Sequence, residues 1–379
     1  MSIRFAFAIP TLNRRPYLEK LVNSIKSQQL HDGIHVTVVI SNSQSTDSTY
    51  DYINELLSET GSIRFIAHNA PPKQEQLVTF EKNWKTLSTI IPEDVDWVWT
   101  LGDDDFLYEK NALTIVADVI SSKTTNNLGF VHACQARRSH STGKAFSAPL
   151  YQLCNNIGFH EMLGWISSNI MLRKYAISAL ARAQDKIEEN YKTDSLGSAY
   201  PHSAAILKEA FKREAVFVDL PLVEPQDLNQ TKESIARWHR ENIGERFLYL
   251  IDDLQEISRE TEIPNFSRTF FRYLNCNFWD RFILYQFGVL MNDKLTPEQK
   301  MSPKFIQKLN NHWKRIASIV DMMDDNHEKK SLSLQIRAAV DLSNLCVTNG
   351  FKNPEIYKMI KATANLTSQA VYDFKILQN

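Results

Sequence analysis

Short apolar runs alternate with segments of helical spacing through roughly the first hundred residues, and this alternation restricts the fold more than any other feature. Four runs are apolar enough to be buried on both faces of a sheet, as parallel strands are. They are Phe5–Ile9, Val36–Ile40, Ile63–Ile66 and Trp97–Leu101. Because strand–helix–strand units join by right-handed crossovers, the pattern predicts an α/β fold with a Rossmann-like, mostly parallel sheet flanked by helices.

Three consecutive carboxylates, Asp103, Asp104 and Asp105, stand shortly after the fourth apolar run. Three like charges repel one another and cannot be buried without a counter-charge. Mg²⁺ and Mn²⁺ prefer oxygen ligands and would supply that charge. Ligands of open α/β sheets bind beyond the carboxyl ends of the strands. The run therefore predicts a metal site in a crevice at that edge, with a solvated loop before a helix near Asn111 as the alternative.

The later part of the chain divides into two regions with different sequence patterns. Further strands are expected at Phe130–Cys134, within Trp165–Leu172 and at Ala215–Val218, with a helix over Ser203–Phe211. From about Asn229 onward, long stretches of helical spacing are separated by prolines, which mark helix boundaries. We expect an α/β domain over residues 1–228 and an all-α domain over residues 229–379.

Composition limits the class and the location of the protein. The 379 residues are 43% apolar and 23% charged, as in a soluble globular protein, and the net charge of −1 gives no reason to expect nucleic acid as a partner. The four cysteines are scattered, which is typical of core thiols in a reducing compartment. No secretory signal or membrane-spanning run is visible. These features predict a cytoplasmic protein, with a peripheral place at the inner face of the cytoplasmic membrane left open.

Four short motifs follow one another in a fixed order. They are Phe7–Arg14, Val39–Asp47, Glu81–Asn83 and Leu101–Asp105. Their order and spacing resemble family 2 glycosyltransferases, which have the A-type nucleotide-diphospho-sugar transferase fold. In that family the corresponding segments are the first strand with its loop, the V-V-D-N-G-S-T-D motif, the A-R-N segment and the DxD motif. The resemblance extends less closely to about Pro225 and does not cover the helical domain.

The resemblance implies a nucleotide-diphospho-sugar donor and a Mn²⁺ or Mg²⁺ ion. Sugar transfer displaces a diphosphate, and a bound cation stabilises its developing charge as a Lewis acid. Asp104 and Asp105 are the expected metal ligands. An alignment on L-D-x-D-D places Gly102 at the first acid and Asp104 on the metal, whereas a plain DxD pairs Asp103 with Asp105, and both stay open. The expected donor-binding residues are Pro10, Thr11, Asn13, Arg14, Asn42, Lys82 and Asp103.

A UDP-sugar is the donor that the resemblance implies most directly, but two of these positions differ from the family pattern. Asn42 replaces the usual acid, and an amide both donates and accepts whereas a carboxylate only accepts, so the base preference stays open. Lys82 replaces an arginine and offers a point charge instead of a planar fork.

The general base is the least determined part of the site. The family inverts the anomeric centre, which requires one base for the acceptor hydroxyl, commonly an acid of an E-D pair. The chain has no clear E-D pair, and Leu196–His202 resembles a subgroup of bacterial surface-sugar transferases with histidine at this point. His202 is the predicted base, because histidine accepts protons near neutral pH. Asp194 is the carboxylate alternative and Asp219 a more distant one, and a capping or core role is the alternative for His202.

Together these features predict an inverting, metal-dependent transferase of a hexosyl or related sugar. The acceptor would be a bacterial surface glycan precursor of the lipopolysaccharide or capsule type, free or lipid-linked. Sugar-nucleotide pyrophosphorylases have a glycine-rich, arginine-containing loop after the first strand. Ile9–Arg14 contains no glycine, which disfavours that class. A non-enzymatic alternative is a degenerate nucleotide-sugar-binding module on a helical assembly scaffold.

The helical domain carries more aromatic residues between Phe266 and Leu290 than one amphipathic face per helix requires. Such a surface is covered by a core, a partner or a membrane. We expect a homo-oligomer, since no polybasic cluster is present. Peripheral membrane contact and a self-contained bundle are the alternatives.

Overall fold

The computed structural model describes residues 2–72, 80–123, 127–136, 139, 141–157, 162–191 and 201–226, with isolated positions between 256 and 355. The chain divides into two compact units, Met1–Leu153 with Met162–Gln230, and Cys154–Glu161 with Thr231–Asn379. Apart from the isolated positions, the predicted helices of residues 229–379 lie outside the described residues. None of the helices described is long and apolar enough to cross a membrane.

In the described part of the chain, nine strands form one sheet. The strands are β1 Ile3–Thr11, β2 Ile34–Asn42, β3 Ile63–Asn69, β4 Trp97–Thr100, β5 Asp105–Leu107, β6 Leu128–Gln135, β7 Ala145–Pro149, β8 Asn169–Leu172 and β9 Glu214–Pro225. The helices are α1 Arg15–Lys26, α2 Thr49–Ser58, α3 Phe80–Ile90, α4 Ala112–Ser122, α5 Leu150–Ile157, α6 Arg173–Tyr191 and α7 Pro201–Ala210, with a 3₁₀ turn at Ile166–Ser168. The sheet order is β3-β2-β1-β4-β8-β6-β9-β5, and β7 pairs with β9.

The prediction of a mostly parallel sheet needs correction, because the sheet is mixed. The strands β1 to β4, which alternate with helices, pair in parallel as expected. Beyond them β8 lies antiparallel to both β4 and β6, and β5 and β7 lie antiparallel to β9. A parallel neighbour requires a crossover of a dozen residues or more. The four residues between β4 and β5 are too few for one, so β5 is not a parallel neighbour of β4 and pairs with β9 instead.

The first strand shows how the sequence fills the core. Phe5, Phe7 and Ile9 are fully buried on one face and join the core that includes the apolar side of α1. The alternate positions Ala6 and Ala8 are also fully buried, so the strand is covered on both faces. Phe7 pairs in register with Trp99 of β4, and their ring centroids lie 5.5 Å apart. Burial on both faces explains the continuous apolar run seen in the sequence.

Several elements were not expected from the sequence. The short strands β5 and β7 have little apolar periodicity of their own, and pairing with β9 fixes both strands. The helix α5 does have helical spacing, since Leu150 and Leu153 are buried, but it is only eight residues long. The strand-like run Trp165–Leu172 is part 3₁₀ turn and part β8. The segment of helical spacing between the third and fourth apolar runs is α3, whose described residues begin at Phe80.

Candidate active site

The crevice opens where β1 and β4 separate. Their ladder ends at Ala8, whose carbonyl oxygen accepts the backbone N–H of Leu101 at 3.0 Å. The next residue of β1 directed to that side is Pro10, which has no N–H to continue the ladder. The chain after β4 therefore turns away from β1. The gap lies between Thr11 and the segment Gly102–Asp105, hereafter the acid loop.

Arg14 is the counter-charge of the acid loop. Its Nη1 lies 3.0 Å from Oδ1 of Asp103 and 2.7 Å from Oδ2 of Asp104. Thr11 Oγ1 donates to the other oxygen of Asp103 at 2.8 Å. Asp103 is thus buried with both carboxylate oxygens hydrogen-bonded. The structure thus brings together Thr11, Arg14 and Asp103, which the sequence predicted for donor binding. Arg14 and Asp103 form an ion pair.

Asp105 is held by Ser167, a residue that sequence reasoning missed. The Ser167 hydroxyl donates to Oδ2 of Asp105 and accepts the backbone N–H of Gly102 at 2.8 Å. The 3₁₀ turn is fixed on β4 because Trp99 Nε1 donates to the Ser167 carbonyl at 2.9 Å. No local pattern marks Ser167 as a site residue, because its partner lies 62 positions away in the chain.

Gly102 is required by the packing of the two carboxylates that follow it. A Cβ atom at this position would lie 2.9 Å from Oδ1 of Asp104 and 3.0 Å from Oδ2 of Asp105. Both distances are shorter than ordinary van der Waals contact. The first acid of an L-D-x-D-D motif therefore does not fit at Gly102 unless the later acids move.

Burial makes the acid loop electrostatically strained. Burial raises the pKa of Asp103 to about 6, with a further increase from Asp104, although Arg14 acts in the opposite direction. Burial and then the charge of Asp104 raise the pKa of Asp105 well above its usual range. Burial lowers the pKa of Arg14, but the attraction of Asp103 and Asp104 outweighs this and leaves it above its usual value. One guanidinium leaves part of the loop's charge uncompensated.

The donor set fits a cation that binds at Asp104. The Asp104 carboxylate is 28% exposed, and its Oδ1 accepts no hydrogen bond from the part of the chain that the structure describes. Among the described residues, no three His, Cys, Asp or Glu side chains are grouped to enclose an ion. Mg²⁺ commonly binds through one or two carboxylates and completes its coordination with substrate phosphates and water. The acid loop offers this kind of site.

Asn13 and Asn42 organise the loop that follows β2. Asn13 has a positive φ of 54°, and its Oδ1 accepts the backbone N–H of Thr46 at 2.7 Å. Asn42 is buried: its Oδ1 accepts the backbone N–H of Ser45 at 3.1 Å, and its Nδ2 donates to Asn69 at 2.7 Å. Both asparagines fix the backbone of this loop beside the end of β1, where Asn42 pairs in register with Thr11. A direct contact with a nucleotide stays a prediction.

The Glu81–Asn83 motif ties α3 to the same edge of the sheet. Asn83 is buried, its Oδ1 accepts the Ser41 hydroxyl at 2.9 Å, and its Nδ2 donates to the Thr11 carbonyl at 3.3 Å. It therefore joins the ends of β1 and β2. The side chain of Lys82 lies outside the described residues.

The candidate bases have different surroundings. His202, the second residue of α7, is buried, and its ring centroid lies 5.2 Å from that of Trp84. Trp84 follows Asn83 in α3, so His202 lies beside the helix that is bonded to Thr11. Asp194 lies outside the described residues. Asp219 accepts hydrogen bonds from Ser139 and Thr142 and fixes that surface segment.

The first part of the sequence matches a known family. The model of the family described as Glycosyl transferase family 2 matches residues 6–213, which is more than half of the chain. The chain belongs to glycosyltransferase family 2. The family predicted from the four motifs is thereby confirmed, and the matched region contains the crevice, the acid loop and His202.

Relatives of this family 2 glycosyltransferase agree with that assignment. Abequosyltransferase RfbV of Salmonella typhimurium is 24% identical over 207 residues, which cover 52% of this chain and 58% of RfbV. The chain thus spans less than two thirds of that relative's length. The crystal structure of S. aureus TarS 1-349 has a TM-score of 0.52 at 12% identity and 92% coverage of each chain. Its complex with UDP-GlcNAc gives 0.53 at 12% identity and 92% coverage of each chain. At this identity the likeness supports the fold, a mixed sheet with flanking helices.

Proposed function

We propose that this chain is an inverting, divalent-metal-dependent glycosyltransferase that acts on a bacterial surface glycan precursor. The observation that carries the proposal is the partly exposed carboxylate of Asp104, which lies between buried acids and Arg14 at the carboxyl edge of the sheet. That edge is where α/β sheets bind their ligands. A diphosphate entering there would meet both a guanidinium and a carboxylate able to hold a cation.

The roles of the residues follow from their contacts. Asp104 would hold the Mn²⁺ or Mg²⁺ ion, which supplies Lewis-acid stabilisation of the diphosphate leaving group when bound. Arg14 neutralises the acid loop and is close enough to pair with a phosphate oxygen. Thr11 and Ser167 hold Asp103 and Asp105 in place, so that the loop does not rearrange as charge develops.

His202 is the proposed general base. Its ring lies beside Trp84 of α3, the helix whose Asn83 donates to the Thr11 carbonyl, and this neighbourhood supports a role at the crevice. A neutral imidazole there would take the proton of the acceptor hydroxyl as the sugar is transferred. Asp194 is the alternative base.

The relatives guide the proposed substrates. TarS forms a complex with UDP-GlcNAc, and RfbV is named for transfer of the sugar abequose. Both support a nucleotide-diphospho-sugar donor, with a UDP-sugar as the first choice, and a glycan or lipid-linked glycan acceptor. A lipid-linked acceptor would place the enzyme at the inner face of the cytoplasmic membrane.

A thermal-shift screen of UDP, CDP, GDP and dTDP, each with Mn²⁺ or with a chelator, tests the proposal on the full chain. A ligand that binds only the folded state raises its apparent stability. We expect one nucleotide to raise the melting temperature with Mn²⁺ and to lose most of that effect in chelator. The Asp104→Asn variant should show only the small rise in melting temperature that the wild type shows in chelator, both with Mn²⁺ and with chelator.

Hydrolysis of the matching sugar nucleotide then separates an enzyme from a binding module. Slow, Mn²⁺-dependent release of the sugar is the expected result. A clear thermal shift without any turnover, in the presence or absence of surface glycan extracts, would favour the binding module. No shift with any nucleotide would contradict both.

A further inference from the structure

Gln226, the residue directly after β9, binds the backbone of the acid loop. Its side chain is buried, and its Nε2 lies 3.3 Å from the carbonyl oxygens of both Asp103 and Asp105. The same nitrogen lies 2.9 Å from the carbonyl oxygen of Tyr17. The backbone N–H of Gln226 donates to the carbonyl of Asp104 at 2.8 Å. One residue thus contacts the backbone of all three acids.

The contact with Tyr17 connects the acid loop to Arg14. Tyr17 lies in the first turn of α1, and its backbone N–H donates to the carbonyl of Arg14 at 3.1 Å. The Gln226 amide therefore bridges the element that carries the guanidinium and the loop that carries the carboxylates. The register of β5 with β9, in which Asp105 opposes Pro225, brings Gln226 to this point.

We propose that Gln226 is a positioning residue, which fixes the separation of Arg14 from the acid loop and thereby holds Asp104 ready for the cation and the diphosphate. This inference rests on the proposed function. Two amide hydrogens are shared among three carbonyl oxygens, so the side chain acts on loop geometry and not on loop charge. Small displacements of ligating groups cost a large part of metal affinity and rate.

Gln226→Met removes the amide donors and keeps nearly the same side-chain length and volume. The backbone bond from residue 226 to Asp104 does not depend on the side chain, so the loop should stay attached. The bonds to Tyr17, Asp103 and Asp105 would be lost. The amide bridge between the loop and the first turn of α1 would then be lost, while the ion pairs of Arg14 with Asp103 and Asp104 remain.

Gln28 offers a matched control at the other end of α1. It is also buried, and its Nε2 donates to the carbonyls of Glu109 at 2.9 Å and of Ser24 at 3.2 Å. Its Oε1 accepts the backbone N–H of Leu113 at 3.0 Å. Gln28→Met removes a comparable set of buried hydrogen bonds without touching the acid loop.

The test measures Mn²⁺ binding to the full chain in the presence of saturating UDP. Bound Mn²⁺ is determined from the loss of the electron paramagnetic resonance signal of free Mn²⁺. The melting temperature is recorded in parallel. We expect both methionine variants to lower the melting temperature. Gln226→Met should weaken Mn²⁺ binding by at least about tenfold, as supporting residues of metal ligands do, whereas Gln28→Met should leave it within about twofold.

Three other outcomes are decisive. If Gln226→Met binds Mn²⁺ as Gln28→Met does, the positioning role is overturned while the proposed function stands. If the wild-type chain binds no Mn²⁺ with UDP, nor with CDP, GDP or dTDP, the proposed function fails and the positioning role fails with it. If Gln226→Met does not fold, Gln226→Asn, which keeps the amide at shorter reach, must show the same selective loss of Mn²⁺ binding or the role is overturned.

Discussion

Nη1 of Arg14 lies 2.7 Å from Oδ2 of Asp104, so the carboxylate that faces the crevice is already paired with a permanent cation. A metal ion at Asp104 would therefore share this carboxylate with a guanidinium. The pair is only partly buried, with 41% of the Arg14 side chain and 28% of the Asp104 side chain exposed. Its own contribution to stability is modest, and its value lies in the charge that it presents to an incoming diphosphate.

Asp104→Asn should remove metal-dependent activity without loss of stability in chelator. The amide keeps the size of the side chain and relieves repulsion with Asp103 and Asp105. Donor turnover at saturating Mn²⁺ and the melting temperature in chelator measure the two effects. Asp96→Asn is the control, since Asp96 forms an exposed ion pair with Arg4 at 3.0 Å and precedes β4, at the end opposite to the acid loop. Full turnover of Asp104→Asn in chelator would contradict the metal site.

The stability of the metal-free protein should depend on pH through Asp103. Its pKa is raised from 3.8 to about 6 in the folded protein, so the folded state binds this proton more tightly than the unfolded chain does. Stability from this group is therefore present at low pH and is lost as pH rises through about 4 to 6. A shift of this size corresponds to about 3 kcal/mol.

Urea unfolding of the wild type and of Asp103→Asn, both in chelator between pH 4 and 7.5, measures this dependence. The variant cannot ionise at position 103, so its free energy of unfolding should gain on that of the wild type as pH rises. Parallel curves for the two proteins would show that Asp103 does not titrate in this range.

Ser167→Ala should lower both stability and activity. The change leaves the Asp105 carboxylate and the Gly102 N–H without their shared partner in a buried place, which costs about 1–3 kcal/mol. Ser203→Ala is a matched control, because Ser203 is fully buried and donates a single bond to the Leu163 carbonyl at 2.8 Å. Turnover normalised to folded protein should fall only for Ser167→Ala. An equal fall in both variants would point to a structural role alone.

His202→Gln should lower sugar transfer by roughly 10²–10⁴-fold while donor binding changes little, because a general base acts on the acceptor and not on the donor. His132→Gln is the control. That histidine is also buried, but it stacks on Phe217 at 4.9 Å between ring centroids. Asp194→Ala should have a mild effect. The reverse ranking of His202 and Asp194 would move the base to Asp194.

The full chain should self-associate through residues 266–290. Sedimentation of the intact protein at several concentrations, with anionic liposomes in a second series, tests this expectation. A monomer that also ignores the liposomes would leave only the self-contained helical bundle.

The sequence alone determined the local features of the first half of the chain. Apolar runs such as Phe5–Ile9 and Trp97–Leu101 predicted β1 and β4, because burial on both faces of a sheet leaves a continuous apolar signature. Three adjacent acids after such a run were enough to predict a site at this edge, since strand ends share one edge of a parallel sheet. The ordered motifs were enough to predict the family, which the family model confirms.

Tertiary structure alone decided which groups meet. Arg14 reaches Asp103 across 89 positions, Ser167 reaches Asp105 across 62, and Gln226 reaches Asp105 across 121. It also decided that β8 lies antiparallel between β4 and β6. A hydrogen bond to a carboxylate or a carbonyl needs only a donor of the right reach, which leaves no periodic mark on the sequence. Such pairings are fixed by strand register and helix packing, and only the folded chain specifies them.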